Sequence, residues 1–174
     1  ELMEELDDDM ADQAMSLVAE SGRTAAARLR CYRLAYGAAG GQDTVGLGEA
    51  RQIAADYLAG TKLALDWPLA AGAPARLPPG TVKLLLNLVI LAGDALTYGG
   101  TIGVAINAAA RPAAVMVSAQ GRSARLGAEE DTALAGATAA GDLTPRTVHA
   151  YVTGLFARHY GMALICDDAG DGCL

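Results

Sequence analysis

The chain has 174 residues, 52% of them hydrophobic and 19% charged, which is enough apolar material for a substantial core and excludes disorder as its main state. A net charge of −7 with a pI near 4.7 disfavours direct nucleic-acid binding, and alanine, leucine and valine carry the hydrophobic share, leaving few aromatics to stack on bases. The cysteines Cys31, Cys166 and Cys173 are odd in number and lack C-x-x-C spacing, which argues against a disulfide framework or a zinc site and for a cytoplasmic location.

Two domains are expected, residues 1–40 and 43–174, divided at the Gly37–Gln42 stretch GAAGGQ. In the first, a short acidic helix is expected to end at Leu6. Asp7, Asp8 and Asp9 would form a turn whose last aspartate caps a second helix running to about Tyr36. The seam of that helix, Met15, Val18, Gly22, Ala25, Leu29, Tyr32 and Tyr36, recurs at heptad spacing, as in a helix of a bundle. Its small residues allow close approach of neighbours, and it needs partners beyond the few residues that precede it.

In the second domain, Val45–Leu58 is expected as a helix with Leu47, Ala50, Ile53, Ala54 and Tyr57 inward, and Lys62–Trp67 as a strand stopped by Pro68. After a Pro-rich loop over residues 72–80 comes an apolar helix terminated by Gly99-Gly100. Its segment Leu84–Ala92 is about half the length needed to cross a bilayer and is broken by Asn87, so it is expected to be buried in protein. Strands follow over Thr101–Asn107 and Ala113–Ala119, separated by a turn at Arg111-Pro112. A helical segment over Ala128–Ala139 leads to a helix beginning at Asp142, with Pro145 in its first turn and Val148, Tyr151, Val152, Leu155 and Phe156 inward. A closing hairpin is expected from Met162–Cys166 through a turn at Asp167–Gly172. Helices on one face of a mixed sheet make an α+β sandwich.

The run Thr81 to Val104, TVKLLLNLVILAGDALTYGGTIGV, resembles the nucleotide-binding helix of a histidine kinase with its chemistry removed. In such kinases two asparagines lie four residues apart on this helix, the second holding Mg²⁺ against the ATP phosphates. Here Asn87 stands at the first position and Leu91 at the second, and a leucine offers no oxygen to a hard cation. No Asp-x-Gly-x-Gly follows the strand at Thr101–Asn107, no glycine-rich loop precedes the later helix, and no Walker or dinucleotide fingerprint occurs elsewhere. Asn87 and Leu91 therefore read as a degenerate nucleotide site, with no ATP bound.

The order of SGRTAAARLRCYRLAYGAAGG, the LGEARQIAADYLAG helix, the LDW strand and the VKLLLNLVILAGDAL helix is similar to the ChpT-type bacterial histidine phosphotransferases over essentially the whole chain. The resemblance implies a homodimer in which a helical hairpin from each subunit builds a four-helix bundle carrying a degenerate kinase-like ATPase domain. It implies a phosphorelay protein that passes a phosphoryl group between the receiver domains of a hybrid kinase and a response regulator. Such a protein holds no cofactor of its own, the receiver bringing its own Mg²⁺. The family's phosphorylated histidine lies on the first hairpin helix, about four turns before the inter-helix loop, so it is expected upstream of Glu1. Neither His149 nor His159 takes its place.

By the same analogy the receiver would dock on Leu2, Met3, Leu6, Gln13, Ser16, Glu20 and Arg23. Met3 and Leu6 have core packing as a competing role, and Gln13, Ser16 and Glu20 a plain solvated face. Arg23, Arg28, Arg30 and Arg33 form a basic run that either attracts an acidic receiver pocket or pairs with nearby carboxylates. Asn87 and Cys31 also read as core residues, and Asp167, Asp168 and Asp171 as an acidic turn without the distal glutamate of a calcium loop. His149 and His159, ten apart, lack a third metal ligand. The competing function is a non-catalytic binding protein that sequesters a kinase or a response regulator.

Overall fold

The computed structural model describes residues 2–37, 45–69, 77–107 and 114–167, with side chains from Met10 onward in the first helix. Helix α1 spans Leu2–Tyr36, a single run of 35 residues. The expected turn at Asp7–Asp9 is absent, because those residues continue the helix. Aspartate is a modest helix former that costs less than about 1 kcal/mol per residue inside a helix, which a run of 35 residues absorbs.

Only the last two turns of α1 enter the protein core, through Cys31 and Ala35, at 1% and 0% exposure. They pack on α2 (Leu47–Leu58) and α3 (Thr81–Ala95). Helix α2 buries Leu47, Ala50, Ile53 and Ala54 as expected, with Leu58 buried where Tyr57 was expected and Tyr57 only partly so. Helix α3 is buried nearly all round its first ten residues, which is why its sequence is apolar without periodicity. It ends at Ala95, before the Gly99-Gly100 pair expected to stop it. Those glycines instead lead into a strand.

Three strands form a mixed sheet in the order β1-β2-β3: β1 (Leu63–Asp66), β2 (Gly100–Asn107) and β3 (Ala114–Gln120). β1 and β2 are parallel with Leu65 opposite Ile102, and β2 and β3 are antiparallel with Val104 opposite Val117. Ile102, Val104 and Ala119 bury the inner face together with Leu85, Leu86 and Val89 of α3. Burial of a side chain of this size is worth about 1.5–3 kcal/mol, so this layer carries much of the stability of the α/β unit. The turn expected at Arg111-Pro112 lies outside the described residues.

A smaller core joins Leu91 at the far end of α3 to α4 (Ala128–Leu134) and α5 (Val148–His159), through Ala133, Leu134 and Ala150. Here the sequence reading is corrected twice. The stretch 135–147 is not helical throughout. A 3₁₀ turn occupies Ala140–Asp142, and α5 starts only at Val148, after Thr144 and Thr147 exchange backbone-to-hydroxyl hydrogen bonds across Pro145. Its buried face is Ala150, Thr153, Gly154 and Ala157, while Val148 and Leu155 are 41% and 42% exposed. The backbone of α4 approaches α5 too closely for the larger side chains.

The expected strand at Met162–Cys166 is also absent. Gly161, at φ +67°, closes α5 with paired hydrogen bonds from its own N–H to the Arg158 carbonyl and from the Met162 N–H to the Ala157 carbonyl. The residues that follow lie irregularly against the smaller core through Leu164. The rest of the expected hairpin lies outside the described residues.

Candidate functional site

Helix α1 is about 52 Å long at 1.5 Å per residue, and most of it projects without a neighbour. Met15, Val18 and Leu29 of the heptad seam are 68%, 65% and 64% exposed, and Gly22 and Ala25 are exposed with them. At the end of the seam, Tyr32 stacks edge-on to Tyr57 of α2 at 5.8 Å, and Tyr36 meets His149 of α5 at 5.9 Å. The seam is thus anchored at its C-terminal end and bare elsewhere. A lone helix in water is marginal, and an apolar stripe along it marks a contact face.

Gln13, Ser16, Glu20 and Arg23 are exposed on the same helix, and Leu2, Met3 and Leu6 lie outside the described side chains. At about 100° per residue these four fall on the side opposite the seam. The same rotation places them in line with Ala27, Cys31 and Ala35, the side that becomes core where α1 meets the α/β unit. One flank of α1 is therefore polar and open for most of its length, and buried at its end.

The junction is built by two residues four apart on α3. Asn87, fully buried, donates through Nδ2 to the Ala35 carbonyl at 2.7 Å and to the Lys83 carbonyl at 2.8 Å. Lys83, 4% exposed, donates through Nζ to the Gly37 carbonyl at 2.8 Å and lies 4.1 Å from the centre of the Phe156 ring. The last carbonyls of a helix have no partner within it, so α3 supplies two of the caps that α1 needs. A cation there also opposes the negative end of the helix dipole. Burial lowers the pKa of Lys83 from its ordinary 10.5. The Asn87 Oδ1 atom is buried without a hydrogen-bond partner among the described residues, which costs about 1–3 kcal/mol.

Asn87 and Leu91 are four residues apart on α3 and so lie one turn from each other on one side of it. Asn87 reaches α1, whereas Leu91 lines a cleft of about 1150 Å³ toward the C-terminal end of α3. Asp94, Tyr98, Arg125, Arg146 and His149 line its walls. Arg146 donates to Glu130, and His149 Nδ1 lies 3.6 Å from Asp94 Oδ2. In the basic run of α1, Arg30 pairs with Glu49 at 3.0 Å, so part of it is an internal ion pair. Both histidines of the chain belong to α5, and no cluster of three metal-ligating residues occurs among the described residues. No helix among them is long and apolar enough to cross a membrane.

Sequence reasoning missed Lys83, although a lysine in the apolar run TVKLLLNLVIL, one turn before Asn87, was a legible sign of a buried polar pair. Cys31 is core as expected. Its thiol is pushed up to about 11 by burial, which makes it a poor nucleophile.

Residues 47–172 match the family described as "Histidine phosphotransferase C-terminal domain". The chain is 32% identical over 164 residues to the protein phosphotransferase ChpT of Brucella abortus (strain 2308), covering 93% of this chain and 77% of that protein. A solved structure described as a bacterial phosphotransferase superposes with a TM-score of 0.74 at 30% identity, covering 91% of this chain and 76% of that one. The chain belongs to the histidine phosphotransferase family.

Proposed function

We propose that this protein is a phosphorelay histidine phosphotransferase that passes a phosphoryl group between the receiver domains of a hybrid kinase and a response regulator. The observation that carries the reading is the form of α1: an unpartnered apolar seam on one side and an open polar flank on the other, held at one end by the α/β unit. The seam suits a second copy of the chain, giving a homodimeric four-helix bundle, and the polar flank suits a receiver. Residues 1–40 are then the bundle and docking domain, and residues 43–174 the degenerate kinase-like domain.

The phosphoryl-accepting histidine is proposed to precede Glu1, on the helix that pairs with α1. His149 is an unsuitable acceptor, since its side chain is 13% exposed and lies against Asp94 and Tyr36. In the transfer, the P–O bond of an aspartyl phosphate breaks as a P–N bond to imidazole forms in line, releasing the receiver's carboxylate. The receiver contributes the Mg²⁺. This chain presents the bundle and docks the partner, with no cofactor of its own, no ATP, and a place in the cytoplasm. Leu91 beside the cleft supports the loss of ATP, because it gives Mg²⁺ no oxygen ligand.

The test is incubation of a phosphorylated receiver domain with the full-length protein and, in parallel, with this chain. The expected result is an acid-labile, base-stable label on the full-length protein alone. Receiver binding without any label would replace the relay by a sequestering binding protein, and a label on this chain would place the acceptor at His149 or His159.

A further inference from the structure

We propose that Asn87 and Lys83 are positioning residues of the phosphotransfer reaction, fixing the angle between α1 and the α/β unit. The proposal rests on the relay reading above. The helix that resembles a kinase's nucleotide-binding helix here spends its polar side chains on the bundle helix instead: the Asn87 amide on the Ala35 carbonyl, the Lys83 ammonium on the Gly37 carbonyl. Asn87 faces two carbonyl acceptors, so its amide orientation is set by its surroundings. Its Oδ1 is left without a partner, so what the asparagine contributes at this buried position is its donor to the Ala35 carbonyl.

The consequence is a lever. From Ala35 back to Ser16 the helix rises about 28 Å, so a tilt of about 10° at the junction moves Ser16 by about 5 Å. The flank that carries Gln13, Ser16, Glu20 and Arg23 is the one that turns into core at Cys31 and Ala35. A receiver on that flank stands on the same side of α1 as the α/β unit, and its fit depends on the angle between the two. A docking platform gains from being braced. Tyr32 against Tyr57 and Tyr36 against His149 add contacts on either side of the two hydrogen-bonded residues.

The test uses the full-length protein with Asn87→Leu, with Lys83→Met as an independent variant and Lys83→Arg as the conservative one. Two quantities are read: hydrogen exchange of the Arg33 to Gly37 amides, and the steady-state constants for transfer from a phosphorylated receiver. Expected are exchange about tenfold faster in that last turn with the β2 and β3 amides unchanged, and a KM for the receiver about fivefold or more higher at a kcat within about twofold. Lys83→Arg should restore KM. Faster exchange with an unchanged KM would reduce the two residues to a structural cap and overturn the proposal, as would wild-type exchange and wild-type KM in both variants. A wild-type protein that accepts no phosphate would defeat the relay reading itself, while the exchange result would still decide whether the two residues brace α1.

Discussion

Gly154 of α5 lies directly against the carbonyl oxygen of Leu134 at the end of α4, where a side chain on Gly154 would overlap the oxygen. The neighbour is backbone, which cannot rotate aside. This contact sets how closely α4 and α5 pack, and so holds the smaller core over Leu91.

Replacing Gly154 by valine should therefore push the two helices apart and destabilise the protein by about 1–3 kcal/mol, as overpacking against fixed atoms does. Urea unfolding followed by circular dichroism would measure this. An unchanged midpoint would mean that α4 yields without cost.

Alkaline pH should unfold the protein through groups at the α1 junction. Burial pushes the Cys31 thiol from its ordinary 9.0 up to about 11. Burial, then neighbouring Tyr32, pushes Tyr36 from 10.0 up to about 12. Tyr57 is raised further still, again chiefly by burial. For an acid whose folded pKa is raised, the folded state holds more protons in the window, so stability is intact below pH 9 and lost as pH climbs through the folded values. Lys83 acts in the opposite sense: its lowered pKa lets stability grow with pH up to 10.5, so above that value only the loss remains. Urea midpoints measured from pH 8 to 12 should fall most steeply above 10.5, and Tyr57→Phe should make the fall shallower.

Charges on the exposed seam should weaken self-association. Val18→Asp together with Leu29→Asp places two carboxylates on the stripe, yet both sites are open in the single chain, so its own fold should stay within about 0.5 kcal/mol. Sedimentation equilibrium of the full-length protein should show a dimer for wild type and a dissociation constant at least about a hundredfold weaker for the double variant. A monomeric wild-type protein would remove the bundle from the proposed function.

The elements most legible in the sequence were those whose side chains alternate between core and water. Helix α2 could be read from Leu47, Ala50, Ile53 and Ala54, and β1 from Leu63 and Leu65 against Ala64 and Asp66, because each repeats with its own period. Helix α5 misled because size was taken as the mark of burial, while the near contact with α4 selects alanine, threonine and glycine for the inward face. The aspartates at 7–9 misled because aspartate is favoured at a helix cap yet is also tolerated inside a helix at small cost. At the candidate site, the burial of Asn87 was legible from its apolar neighbours. Its partner was not, since the Ala35 carbonyl is 52 residues away and carries no side-chain signature. Leu91 was singled out only by its place four residues after Asn87, and that it packs with Ala133, Leu134 and Ala150 could be seen only in three dimensions.

The polar flank of α1 and the buried end of the helix share one rotational phase, and this restricts how the chain can change in length. A single residue inserted between Arg23 and Ala27 would turn everything before it by about 100°, carrying the open flank off the side of the α/β unit while leaving every residue of both surfaces intact. Seven residues, close to two full turns, would shift the flank along the axis yet nearly keep its direction. Related chains should therefore differ in α1 by substitution, or by near-whole turns, and leave irregular changes of length to the loops.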